Sequence, residues 1–218
     1  NRPDNVHCAM FREHEATYLI GVAAGMLTET NKVGVVSALD IPFLHRYTDG
    51  YAAGAKAQNP DVTADIRWVA GENPFADPVR AKEQALAINA AGSDVIFTAT
   101  SGGDFGVFEA AKEANFKAFA VDVNLCPEDP QHMVSGTLKR VDNAILQAVE
   151  GIEGGAKQLT LALGLKEKGM SIIGLEEEGL AESQCLIATM PEVLARVREV
   201  AAQIEGGSLT LEDPMFAK

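Results

Sequence analysis

The sequence predicts an α/β protein organised around a parallel sheet. Strand-length apolar runs alternate with helix-forming segments over short connections across residues 32–134, the pattern of successive β-α-β units. In such a sheet both faces are covered by helices, and residues 32–37 read as a fully apolar strand. The stretch Asp94-Val-Ile-Phe-Thr-Ala-Thr-Ser-Gly-Gly-Asp-Phe-Gly-Val-Phe-Glu-Ala-Ala-Lys112 compresses the pattern into strand, glycine turn and helix. A turn of this kind lies at the carboxyl end of its strand, where backbone N–H groups and a helix N-terminus face a ligand crevice.

Each element follows from local composition. Residues 6–11 form a short apolar stretch. Residues 16–27 are apolar enough for a buried helix, and Gly21, Ala23, Ala24 and Gly25 let it pack closely against a neighbour. After the strand at 32–37, residues 47–59 form a helix with Tyr47, Tyr51, Ala55 and Gln58 on one face, closed by Asn59-Pro60. Residues 62–69 form a second strand, 71–78 a loop rich in breakers, and Pro78 suits the first turn of a helix over 79–91. A strand at 95–99, a helix at 107–114 and a strand at 117–121 follow. Beyond them lie a helix at 140–152, short strands at 160–163 and 171–174, and an amphipathic helix at 191–204 opened by Pro191. The tail from Gly206 is loop-like.

The 218 residues suffice for one large domain or two small lobes. A net charge of −13 excludes general affinity for nucleic acid, which needs clustered Lys and Arg. Cys8, Cys126 and Cys185 are odd in number and far apart, so they read as small apolar residues and not as a disulfide framework or metal ligands. No run of 18 apolar residues occurs. The first residues resemble neither an initiator region nor a secretory signal, which points to processing or to a start within a larger protein.

Asp122 follows an apolar strand and therefore sits at its carboxyl end. There a carboxylate can accept from a vicinal diol with both oxygens, or it can serve as a turn residue. The turn Ser101–Gly106 lies one βα unit earlier and shares its crevice if the strands are neighbours. It is neither a phosphate-binding P-loop, since no Gly-Lys-Ser/Thr follows, nor a dinucleotide fingerprint. Lys139 lies between a strand and a helix and reads as a solvated lysine. Tyr47 offers either a stacking surface for a flat ligand or a packing ring. The four histidines are scattered, no nucleophile motif is present, and neither a catalytic residue nor a metal or cofactor site is indicated.

Several blocks carry a resemblance: Phe11-Arg-Glu-His-Glu-Ala-Thr-Tyr-Leu-Ile-Gly21, Lys32-Val-Gly-Val-Val, Tyr47-Thr-Asp-Gly-Tyr-Ala-Ala-Gly54, Asn59-Pro60-Asp61, Asp94-Val-Ile-Phe97, Gly106-Val-Phe-Glu-Ala-Ala-Lys112, Val121-Asp122 and Leu138-Lys-Arg-Val-Asp142. In this order they resemble the basic membrane protein family, bacterial substrate-binding lipoproteins of ABC transporters that bind purine nucleosides. The resemblance implies a type I periplasmic binding fold, two Rossmann-like lobes joined by a hinge. Residues 32–137 would form the complete second lobe, and residues 1–31 and 138–218 parts of a first lobe lacking its N-terminal section.

The resemblance also implies a ligand-binding set. Tyr47 takes the place of a family aromatic that stacks on the base, Asp122 and Lys139 match an acid and a lysine that hold the sugar hydroxyls, and Ser101, Gly102 and Gly103 match a glycine loop beside the sugar. Asp104 and Phe105 depart from that loop. The implied protein is a monomer at the outer face of the cytoplasmic membrane or in the periplasm. It binds a nucleoside or purine-like compound, meets an ABC permease, needs no cofactor and touches the membrane only through a lipid anchor upstream. The alternative is a ligand-sensing regulatory domain of the same fold.

Overall fold

A computed structural model describes Pro3 and residues 5–217. The α/β class and the parallel sheet are as expected. Six strands pair in the order β3-β2-β4-β5-β6-β8: β2 (Lys32–Ser37), β3 (Thr63–Trp68), β4 (Val95–Ala99), β5 (Lys117–Ala120), β6 (Met133–Lys139) and β8 (Met170–Ile172). All neighbours are parallel except β8, which runs antiparallel to β6.

Helices cover both faces. Val35 and Phe97 are register partners, and Phe97 meets Tyr51 of α2 (Pro42–Gln58) with ring centroids 5.4 Å apart. On the opposite face Gly34, partner of Ile96, lies under Ile88 of α3 (Pro78–Ala90), which packs beside α4 (Asp104–Ala114). Helix α1 (Glu13–Leu27) is buried along most of its length against α2, and also touches α6 (Pro191–Glu205), β6 and β8. Glycine sets the α1–α2 approach, because a Cβ on Gly54 would strike the backbone carbonyl of Tyr18. Residues from both ends of the chain thus help to cover the larger sheet.

A second, two-stranded parallel sheet joins β1 (Cys8–Phe11) to β7 (Thr160–Leu163), with α5 (Val141–Glu153) between β6 and β7 in the chain. On α5, Val141, Ile145, Leu146, Val149 and Ile152 are exposed. Three chain segments connect the two sheets: Arg12, Arg140 and the residues after Leu163. They are tied together, since Arg12 N donates to Leu163 O (2.9 Å) and Arg140 N to Gly169 O (2.9 Å).

Three helices begin earlier than the sequence suggests. Helix α1 starts at Glu13 rather than residue 16, because Glu13 and Glu15 are buried against cations and backbone donors: Glu13 meets Arg46 and Lys139, and Glu15 accepts from Leu165 N at 2.7 Å. Helix α2 starts at Pro42 rather than Tyr47, with the proline in the first turn where its missing N–H costs nothing. Helix α4 starts at Asp104, whose side chain bonds back to the preceding strand. Pro78 opens α3 behind the N-cap Asp77, as expected, and Asp77 accepts from Arg80 N at 3.0 Å.

The cysteine expectation is corrected. Cys126 and Cys185 form a disulfide across 59 residues, with Cα atoms 5.1 Å apart, and Cys8 is left free and exposed. The pair closes only because the loop after β5 and the segment before α6 meet beside β6. A separation of this size in a set of three gives no local signal.

Candidate functional site

The carboxyl ends of β2, β4 and β5 open onto one cleft of about 500 Å³. Four aromatic side chains line it: Phe43 and Tyr47 from the first turns of α2, Phe75 from the loop before α3, and Phe105 from α4. The sheet's continuous apolar strands bury themselves under helices, so the polar groups that end them are delivered here.

Asp122 follows β5 with φ of 65°, and Ser101 follows β4 with φ of 58°. Both are non-glycine residues in the left-handed region, a cost tolerated where the surroundings hold the turn and often found at binding sites. Asp122 is held at both backbone groups: its N–H donates to Thr137 Oγ1 (3.0 Å), and its carbonyl accepts from Lys139 N (3.0 Å).

The side chains form a chain of bonds. Tyr47 Oη donates to Asp122 Oδ1 at 3.3 Å and accepts from Lys139 Nζ at 2.8 Å. Lys139 Nζ also lies 3.0 Å from Glu13 Oε1 and 3.9 Å from Asp122 Oδ2. Glu13 is paired in turn with Arg46 at 3.1 Å, and Arg46 with Asp213 at 2.6 Å. The Lys139 ammonium further faces the rings of Phe11, Phe43 and Tyr47 at 5.4–5.5 Å, a cation–π enclosure.

Burial and the charges of Asp122 and Glu13 push the Tyr47 phenol well up, so it remains a donor. Burial also raises the Asp122 carboxyl, against the pull of Lys139 and the Tyr47 hydrogen bond. Asp104, 1% exposed, is pushed up to about 6 by burial, although its Oδ1 accepts from Thr98 Oγ1 (2.7 Å), Thr100 Oγ1 (2.7 Å) and Thr100 N (2.9 Å).

Of the six residues singled out in the sequence, Tyr47, Ser101, Gly102, Asp122 and Lys139 line this cleft. Gly103 is buried behind it, where an added Cβ would press on Thr100. The glycine turn does not offer these N–H groups to a ligand: Gly102 N donates to Phe75 O (2.9 Å) and Gly103 N to Thr100 O (3.2 Å). Lys139 is not a freely solvated lysine, being held by Glu13 and Tyr47. Sequence reasoning missed Phe43, Phe75, Phe105 and Asp104 as lining residues, and Glu13 as the partner of Lys139. A proline directly before Phe43, a residue suited to a first helical turn, was the signal available for it.

Apolar rings, two carboxyl groups and an enclosed ammonium suit a neutral flat ligand that carries hydroxyl or N–H donors. Among the described residues no group of three or more His, Cys, Asp or Glu side chains is placed to hold a metal ion.

The sequence pattern of the family described as ABC transporter substrate-binding protein PnrA-like matches residues 1–195. This chain belongs to that family. It is 32% identical over 228 aligned residues to the CD4+ T-cell-stimulating antigen of Listeria monocytogenes, covering 96% of this chain and 60% of that protein. It is 37% identical over 111 residues to the ABC transporter nucleoside-binding protein BmpA of Lactococcus lactis subsp. cremoris, covering 51% of this chain and 31% of that one. Among solved structures, an ABC transporter solute-binding protein of Aeropyrum pernix superposes with a TM-score of 0.79 at 26% identity, over 98% of this chain and 68% of that one. The fold is accordingly the type I periplasmic binding fold, and the chain spans about two thirds or less of these proteins' lengths. The family is a class of substrate-binding proteins, not of enzymes.

Proposed function

We propose that this chain captures a purine nucleoside or related nucleobase compound outside the cytoplasmic membrane and presents it to an ABC permease, without breaking a bond. The observation that carries the proposal is the convergence of Asp122, Lys139 and Tyr47 at one end of an aromatic-lined cleft. The rings suit a base, and the carboxylate and ammonium suit sugar hydroxyls. The nucleoside-binding relative from Lactococcus supports the same ligand class. The disulfide favours an oxidising, extracytoplasmic compartment, and no helix among the described residues is long and apolar enough to cross a membrane.

The proposed division is into two lobes, one built on the six-stranded sheet and one containing β1, β7 and α5. The segments at Arg12, Arg140 and Gly164 would be the hinge about which they close on the ligand. The protein is proposed to act as a monomer. Calorimetric titration with a panel of purine and pyrimidine nucleosides and free bases tests the assignment: saturable binding of at least one nucleoside is expected, and none with any member of the panel rejects it.

A further inference from the structure

The polar end of the cleft already contains a hydroxyl, that of Tyr47. It accepts from Lys139 Nζ at 2.8 Å and donates to Asp122 Oδ1 at 3.3 Å. A ligand hydroxyl gripped by the same ammonium and carboxylate would make these same two bonds, accepting from the lysine and donating to the aspartate.

The phenol is not free to swing away. Tyr47 is 3% exposed, sits on a helix, and packs edge-on against Phe43 with centroids 5.6 Å apart. Lys139 is not free to turn elsewhere either. It is also bound to Glu13, 2% exposed and itself anchored on Arg46. Of the two Asp122 oxygens, the phenol uses Oδ1, and Oδ2 stands 3.9 Å from the ammonium. The phenol stands between the ammonium and Oδ1, in the bridging position a ligand hydroxyl would take, so one hydroxyl of a vicinal diol finds that position filled.

Granted the nucleoside reading above, on which this rests, we propose that Tyr47 is a specificity-determining residue. Its hydroxyl takes the place of one ligand hydroxyl, so that the cleft accepts 2′-deoxynucleosides nearly as well as ribonucleosides. A phenylalanine at this position would present the bare aspartate–lysine pair and restore preference for the diol.

The test is calorimetric titration of the wild-type protein and Tyr47→Phe with adenosine, 2′-deoxyadenosine, inosine and 2′-deoxyinosine. Wild type is expected to bind each ribo and deoxy pair within about threefold, and Tyr47→Phe to prefer the ribonucleoside by about tenfold, the size of one hydrogen bond to a charged group. A wild-type preference for ribose of about tenfold or more overturns the inference, as does a ratio left unchanged by the substitution. The wild-type ratio decides the matter alone if thermal unfolding shows that the variant does not fold. Binding with the wrong ratio refutes only the role of Tyr47; where none of the four compounds binds, the ribo and deoxy pair is taken from whichever nucleoside of the wider panel does, and absence of binding across that panel refutes the nucleoside reading and the inference together.

Discussion

Replacing Asp104 by asparagine isolates the cost of a carboxylate at the floor of the cleft. Asp104 is 1% exposed, and burial raises its carboxyl from 3.8 to about 6. The folded protein therefore holds this proton more tightly than the unfolded chain. The associated stability is fully present below pH 3.8 and is lost as pH rises through about 6. A shift of about two units corresponds to about 3 kcal/mol between the two extremes, at 1.36 kcal/mol per unit. Asparagine keeps an oxygen for Thr98 and Thr100 but carries no charge, so any packing penalty of Asp104→Asn is the same at every pH. The stability of the variant relative to wild type is expected to rise by about 2–3 kcal/mol between pH 4 and pH 7.5. Urea denaturation of both proteins at several pH values across that range measures it. A difference that stays constant with pH would refute a buried, reluctantly ionised Asp104.

Three further perturbations test how the cleft is supported. Reducing the Cys126–Cys185 bond opens a link across 59 residues. It is expected to cost about 2–4 kcal/mol and to lower the melting temperature by about 5–10 °C in calorimetry, and an unchanged transition would contradict the link. Arg46→Met leaves buried Glu13 with Lys139 as its cationic partner but without the guanidinium, and removes the anchor of Asp213, so chemical denaturation should show a loss of about 2–4 kcal/mol, below the full cost of an unpaired buried charge. A loss below about 1 kcal/mol would mean that the pair is not desolvated as the structure has it. Gly54→Ala drives a methyl into the Tyr18 carbonyl and should destabilise by about 1–3 kcal/mol, with a neutral effect showing that α1 and α2 are free to separate.

Much of this architecture was legible because parallel strands leave a plain mark. Val33, Val35 and Val36, and Val95, Ile96 and Phe97, are continuous apolar runs because helices cover both faces of β2 and β4. Asp122 and Ser101 could be placed at strand ends because the apolar run stops just before each. Groups whose character is set by distant partners were not legible. Nothing in the sequence marks Glu13 or Arg46, yet each is buried because the other, with Lys139 and Asp213, neutralises it across long separations. Cys126 and Cys185 read as unrelated for the same reason. Phe43 was hidden by a helix boundary, since all five residues before Tyr47 already belong to the helix that Pro42 opens. Asp104 could be seen to depart from a glycine loop, but only its bonds to Thr98 and Thr100 show why a carboxyl is tolerated there.

Native mass spectrometry of the gently purified protein, with Asp122→Ala beside it, tests the central claim most directly. The cleft is proposed to hold a nucleoside, so wild type should carry an added mass matching a nucleoside or free base that is released on denaturation, and Asp122→Ala should carry little or none. A wild-type protein that retains a compound of another chemical class, or an alanine variant that retains the same nucleoside undiminished, would contradict it.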